Sequence, residues 1–198
     1  MAQTVCSLCL GLLIMAISGF GPGDQAWGKL GGSPRNPADV VAHPFGALGV
    51  YARIPARDEY GRDQLAMFRA WNSDPVGNHE ANLRALNPQF DKVVRRTQAD
   101  NPALRFVIGS GRRDGRLQRM ALAWGWSRTR DSPHRTGDAV DLWPLDREGH
   151  IHFDPQSQNR IAAAMRKSAA ELCIAIRWGG HFHGYKHMDR SHFELLQP

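Results

Sequence analysis

Apolar positions change their rhythm three times along the chain. From Val5 to Phe20 they are almost continuous, and no charged side chain appears before Asp24. This run of 16 residues falls short of the roughly 20 that a spanning helix needs. It suits the apolar region of a secretory signal, with Ala16-Ile17-Ser18 as small residues before a cleavage point. The basic residues that normally precede such a region are missing, so a membrane anchor and a buried helix stand as alternatives to export. Residues 19–60 are rich in Gly and Pro and read as a lead-in. Periodic patterning then begins. Gln64 to Trp71 predicts a helix, with Leu65, Phe68 and Ala70 apolar. Asn87-Pro88 is a cap followed by proline at the first helical position, opening a helix to about Gln98 that buries Phe90, Val93 and Val94. Leu104 to Ile108 reads as a strand. Leu117 to Trp126 reads as a helix with Leu117, Met120, Ala121 and Trp124 on one face. Ala139 to Trp143 is a short strand. Asp154-Pro155 opens a further helix carrying Ile161, Met165, Ala169 and Leu172 at helical spacing. Ile174 to Trp178 and His192 to Leu195 are short strands. Interleaved helices and short strands predict an α+β fold with a small antiparallel sheet flanked by helices. The organisation expected is a signal-like segment over 1–20, a lead-in over 21–79 and a domain over 80–198.

Composition narrows the function classes. The chain has 198 residues, 42% apolar and 22% charged, which excludes wholesale disorder and a multi-span membrane protein. A net charge of +6 favours polyanionic surroundings: nucleic acid, acidic lipid or an anionic cell wall. No nucleic-acid motif accompanies the charge, and the tryptophans fit a core or cleft wall better than a stacking platform, so no nucleic acid is expected as partner. A monomer is expected. Three cysteines make no disulfide framework. Cys6-x-x-Cys9 lies inside the apolar run and reads as two small apolar residues.

Of the 9 histidines, most follow residue 133, and some of these sit in patterned surroundings. His134 lies in a loop and Asp141 in the strand after it, with Gly137 between them to turn the chain. A carboxylate flanked by Val140 and Leu142 is costly without a cation or donors to compensate it. His192 opens the last strand, three residues after Asp189. His134, Asp141 and His192 would supply three ligands to Zn²⁺ and leave a fourth position open, the arrangement of a catalytic zinc site. Asp189 would then stand where a general base belongs. Each residue alone has an ordinary alternative: a surface, capping or core histidine. Ser110-Gly111-Arg112-Arg113 and Gln118 sit between a strand and a helix, where a fixed guanidinium could hold an oxyanion or a carboxylate. His181, His183 and His187 read as a solvated loop, with a second metal site as the alternative.

Taken together, Ser110-Gly111-x-Arg113, Ser132-x-His134-x-x-Gly137-x-Ala139-x-Asp141, Trp178-Gly179-Gly180 and Asp189-x-x-His192-Phe193-Glu194-Leu195 resemble the zinc peptidoglycan peptidases. That family comprises D,D-carboxypeptidases and L-alanyl-D-glutamate endopeptidases, and the order and spacing are most similar to its endolysin branch. The resemblance covers about residues 84 to 198. It implies the Hedgehog/D-Ala-D-Ala peptidase type of fold, Zn²⁺ on His134, Asp141 and His192, Asp189 as catalytic base and Arg113 as the substrate-polarising arginine. Ser132, Gln118 and Trp178 are expected to contact the substrate, the peptide stem of peptidoglycan. Where the family continues with an acidic residue and Trp after Trp178-Gly179-Gly180, this chain has His181-Phe182. A D,D-carboxypeptidase that removes the terminal D-Ala and a non-catalytic zinc- or wall-binding domain remain the alternatives. Action on the wall implies export to the periplasm or cell envelope, by cleaved signal or by membrane anchor.

Overall fold

Four short strands form the centre of the computed structural model, which describes residues 46–182 and 189–196. They are β1 (Phe106–Ser110), β2 (Ala139–Pro144), β3 (Ile176–Trp178) and β4 (His192–Leu195), all antiparallel, in the spatial order β1-β2-β4-β3. Five α-helices accompany them among the described residues: α1 (Gln64–Trp71), α2 (His79–Arg84), α3 (Pro88–Asp100), α4 (Gly115–Trp124) and α5 (Pro155–Glu171). The architecture is the expected α+β one. The segment 1–20, with Cys6 and Cys9, lies outside the described residues, as do His183 and His187.

Local chemistry explains the helix starts. Asp63, Asn87, Asp114 and Asp154 each accept a backbone N–H of the following turn, which satisfies donors that the helix itself leaves orphaned. Pro88 and Pro155 occupy the first helical positions, where a missing N–H costs nothing. Helix α4 runs two residues earlier than its apolar pattern suggests, because Asp114 caps it and Gly125 ends it in the left-handed conformation at φ 75°. Leu172, expected on the apolar face of α5, lies just past the helix end and is exposed.

Successive strand residues point to opposite faces, so the sheet carries two cores. Phe106, Ile108, Val140, Leu142 and Phe193 pack with Leu83 of α2, Phe90 and Val94 of α3, and Ile161 and Met165 of α5. Val107 and Trp143 face the other way, against Phe68 and Trp71 of α1, Ala121 of α4, and Val50, Tyr51 and Ile54. Residues 46–79, expected as a lead-in to a domain beginning at residue 80, are therefore packed into it. The Tyr51 hydroxyl donates to the Asn72 carbonyl and ties the 3₁₀ turn over Gly46–Tyr51 to the end of α1. A bulge between Ile108 and Ser110 breaks the β1–β2 register. Bulges of this kind re-aim a side chain, and here the one re-aimed is Ser110, whose hydroxyl accepts from Arg113 Nε.

Helix α2 has no counterpart among the expected elements. It opens on His79, whose Nδ1 accepts the Ile108 N–H at 3.1 Å and whose Nε2 faces the Gln98 amide. Burial pushes the His79 pKa down, against smaller opposing contributions from Gln98 and Glu80. The folded state therefore holds a neutral imidazole, while the unfolded chain takes up a proton below about pH 6.5. Stability from this group is complete above that pH and is lost as pH falls through the depressed folded value. The wild type is expected to lose more melting temperature than His79→Gln between about pH 7.5 and 5. Parallel pH profiles of the two proteins would contradict this.

Candidate metal centre and catalytic cleft

Strand pairing alone brings two of the expected ligands together. Asp141 on β2 stands directly opposite His192 on β4, a position where cross-strand side chains meet. His134 arrives from a 3₁₀ turn over Pro133–Arg135, capped by Ser132 and joined to the β1–α4 connection by the bond from Arg113 N–H to the His134 carbonyl, 2.8 Å. The donor atoms converge. His134 Nε2 is 3.2 Å from His192 Nδ1 and 3.4 Å from Asp141 Oδ1, and His192 Nδ1 is 3.1 Å from the same oxygen.

The partners of these three side chains decide what the triangle can hold. His134 Nδ1 lies 2.9 Å from the Gly111 carbonyl, which only accepts, so Nδ1 carries the hydrogen and Nε2 presents a lone pair. His192 Nε2 lies 3.0 Å from Glu194 Oε2 and donates to that carboxylate, leaving Nδ1 as the inward donor. Arg113 Nη2 donates to Asp141 Oδ2 at 2.6 Å and leaves Oδ1 to face the histidines. Three potential ligand atoms thus converge, with a hydrogen on His192 Nδ1 bridging to Asp141 Oδ1, and a cation bound among them would take that hydrogen's place. Tetrahedral zinc with bonds of roughly 2.0–2.1 Å sets its ligands about 3.3–3.4 Å apart, so the observed triangle fits. The outer partners also follow the habit of metal sites, in which each ligating histidine gives its second N–H to a carbonyl or carboxylate.

The charges around the triangle compensate one another, with a proton on His192 between Asp141 and Glu194 that metal binding would release. Burial would raise the Asp141 pKa, but His134, Arg113 and hydrogen bonds from both histidines hold it well below the usual carboxylate range. Burial would lower His192, and the bonds to Asp141 and Glu194 reverse that, pushing it up to about 10. His134, almost fully enclosed, is pushed down by burial. Asp189 is pushed up by burial and by the nearby Asp141 charge.

A cleft of about 1030 Å³ opens over this centre. His134, Asp141, Asp189, His192, Arg113 and Ser132 line it, as do Phe68, Trp71, Trp124 and Trp126. Asp189 accepts the Ser191 hydroxyl at Oδ1, 2.8 Å. Gly179 packs beneath the Asp189–His192 turn: a Cβ there would come 2.4 Å from the Asp189 carbonyl oxygen and 3.1 Å from His192 Cβ. Gly179→Ala should therefore push that turn away from β2. Metal affinity is expected to fall by about 10–100-fold, measured by chelator competition. Unchanged metal affinity would show that the turn can give way.

Two expected substrate contacts are not on the cleft surface. Gln118 is buried at 2% exposure, and its amide donates to Ser127 Oγ and to the Thr129 carbonyl, pinning the 127–129 loop. Trp178 donates from Nε1 to the Arg190 carbonyl at 2.9 Å and packs against the main core, holding the Asp189 turn. Ser132 does line the cleft, and it also caps the turn that carries His134. Arg113, expected to face substrate, spends its guanidinium on Asp141 and Ser110 Oγ. Glu194 is the functional residue that residue-by-residue reading passed over. Its signal was present, because positions 192 and 194 of one strand share a face. Arg177 in turn grips Glu194 Oε1 at 2.7 Å. In place of the family's acidic residue and Trp, Phe182 lies against His192 with ring centroids 5.7 Å apart, and His181 lies against Trp178.

Comparison with known proteins agrees with this geometry. The family model for phage L-alanyl-D-glutamate peptidase matches residues 76–196. The crystal structure of the L-Ala D-Glu endopeptidase ChiX of Serratia marcescens superposes with a TM-score of 0.54 at 32% identity, over 60% of this chain and 86% of that one. No curated protein sequence matches the chain.

Proposed function

Because the chain belongs to the phage L-alanyl-D-glutamate peptidase family, we propose that it is a zinc endopeptidase that hydrolyses the L-alanyl–D-glutamate amide in the peptide stem of peptidoglycan. The observation that carries this reading is the triangle of His134 Nε2, Asp141 Oδ1 and His192 Nδ1, each oriented from behind by its own partner. Those three residues would hold the ion. Bound zinc supplies Lewis acidity toward the scissile carbonyl and toward water.

The chain's own groups do the rest. Ser191 holds Asp189 through Oδ1, so Oδ2 accepts the proton of the attacking water and returns it to the leaving amine of D-glutamate. Arg113 fixes Asp141 and offers a buried positive charge at the cleft floor, where negative charge develops on the carbonyl oxygen. The aromatic wall of Phe68, Trp71, Trp124 and Trp126 narrows access of water to the reacting amide. The net charge of +6 suits an anionic wall.

Purified protein should clear a suspension of peptidoglycan, lose that activity on removal of metal by a chelator, and regain it with zinc. Clearing that survives metal removal would overturn the zinc reading. The same reading places the protein in the cell envelope as a monomer, carried there by residues 1–20. A chain lacking residues 1–26 should stay soluble, bind zinc and cut peptidoglycan in vitro, while remaining in the cytoplasm of cells that export the full chain. A large drop in melting temperature with loss of zinc would instead make the apolar segment part of the core, since each buried large apolar side chain contributes about 1.5–3 kcal/mol.

A further inference from the structure

We infer that Trp71 is a positioning residue of the metal centre, acting through Arg113, and that the segment bearing it is a working part of the site although it precedes the family-matched span. The match begins at residue 76, and α1 ends at Trp71. The inference rests on reading the His134–Asp141–His192 triangle as a metal centre.

Arg113 is 6% exposed and its guanidinium is held on three sides. Nε donates to Ser110 Oγ at 2.9 Å, and Nη2 donates to Asp141 Oδ2 at 2.6 Å. The third side is a flat face, and it lies over the Trp71 ring with the guanidinium carbon 5.1 Å from the centroid. Tryptophan is the strongest side-chain partner for a cation at this distance, and a delocalised guanidinium stacks where an ammonium would not. The ring is itself braced, with Trp126 at 5.2 Å and Trp124 at 6.1 Å between centroids. Just beyond Trp71, Asn72 Nδ2 lies 3.4 Å from the Gly109 carbonyl, tying the end of α1 to the bulge that aims Ser110. The order of control is thus Trp71, Arg113, Asp141 Oδ2. Without the ring face, the guanidinium can tilt, Asp141 can rotate, and Oδ1 leaves the position opposite both histidines.

The test is zinc affinity of the full chain, read by competition with a chromophoric chelator and independent of hydrolysis. Trp71→Leu, Arg113→Ala, their double variant and Val50→Ala are compared, with melting temperatures alongside. Trp71→Leu is expected to weaken zinc binding roughly tenfold, the lower end of the range for outer partners of metal ligands. In the Arg113→Ala background the same substitution should weaken it no further, because the pathway is already cut. Val50→Ala removes packing from the same apolar cluster and should lower the melting temperature while leaving zinc affinity unchanged. Should Trp71→Leu fail to fold, Trp71→Phe decides: its weaker ring face should cost about two- to threefold in affinity. Equal zinc affinity in the wild type and the Trp71 variant, or losses that add in the double variant, would overturn the inference. A wild-type chain that binds no zinc would overturn the metal-centre reading itself, and this inference with it.

Discussion

Asp189→Ala is expected to retain its zinc and lose about 10²–10⁴-fold in hydrolysis, the usual worth of a positioned general base. His192→Ala is expected to lose both. The two residues lie three positions apart on one turn, yet their surroundings divide their roles. His192 Nδ1 is one corner of the donor triangle, whereas Asp189 makes its described side-chain bond to Ser191 and lines the cleft. Metal content measured beside wall clearing separates them. An Asp189→Ala protein that lacks zinc and recovers activity in excess metal would reverse the assignment and make Asp189 a ligand.

Arg113→Ala should damage stability and metal affinity most among substitutions that leave every ligand in place. It removes one partner of a buried ion pair, and leaving the other charge uncompensated typically costs about 3–5 kcal/mol. The charge left behind is Asp141, 9% exposed and central to the site. Both stability and zinc affinity should fall, and added zinc should recover part of the lost stability by mass action. Arg113→Lys restores the charge but neither the second donor arm nor the flat face over Trp71, so it should rescue stability more than affinity. A melting temperature unchanged in Arg113→Ala would show that water or another cation replaces the guanidinium.

Legibility in the sequence followed the range of the interactions. Helices α3 and α5 announce themselves through Asn87-Pro88 and Asp154-Pro155, because caps are local. Asp141 and His192 were readable because a charged or polar group in an apolar strand demands a partner, and the partner proved to be each other's neighbour across the sheet. The docking of residues 46–71 was not readable. The Gly/Pro-rich stretch over 19–60 reads as a linker and runs into this segment, and nothing local says that Val107 and Trp143 need a cover on the second face of the sheet. The engagement of Gln118 and Trp178 within the fold was hidden for a related reason. Both carry donors suited to a substrate, and only the tertiary placement of Thr129 and Arg190 shows where those donors are spent. Arg113 is intermediate: its importance was visible, but its engagement with Asp141 depends on the bulge that turns the end of β1.

The most direct test of the account is mass spectrometry of the fragments released from purified peptidoglycan by the zinc-loaded protein. The account predicts stem peptides with D-glutamate at a new amino terminus and glycan strands that keep L-alanine. Release of free D-alanine from the stem terminus, with the L-alanyl–D-glutamate bond intact, would contradict it and make the protein a carboxypeptidase.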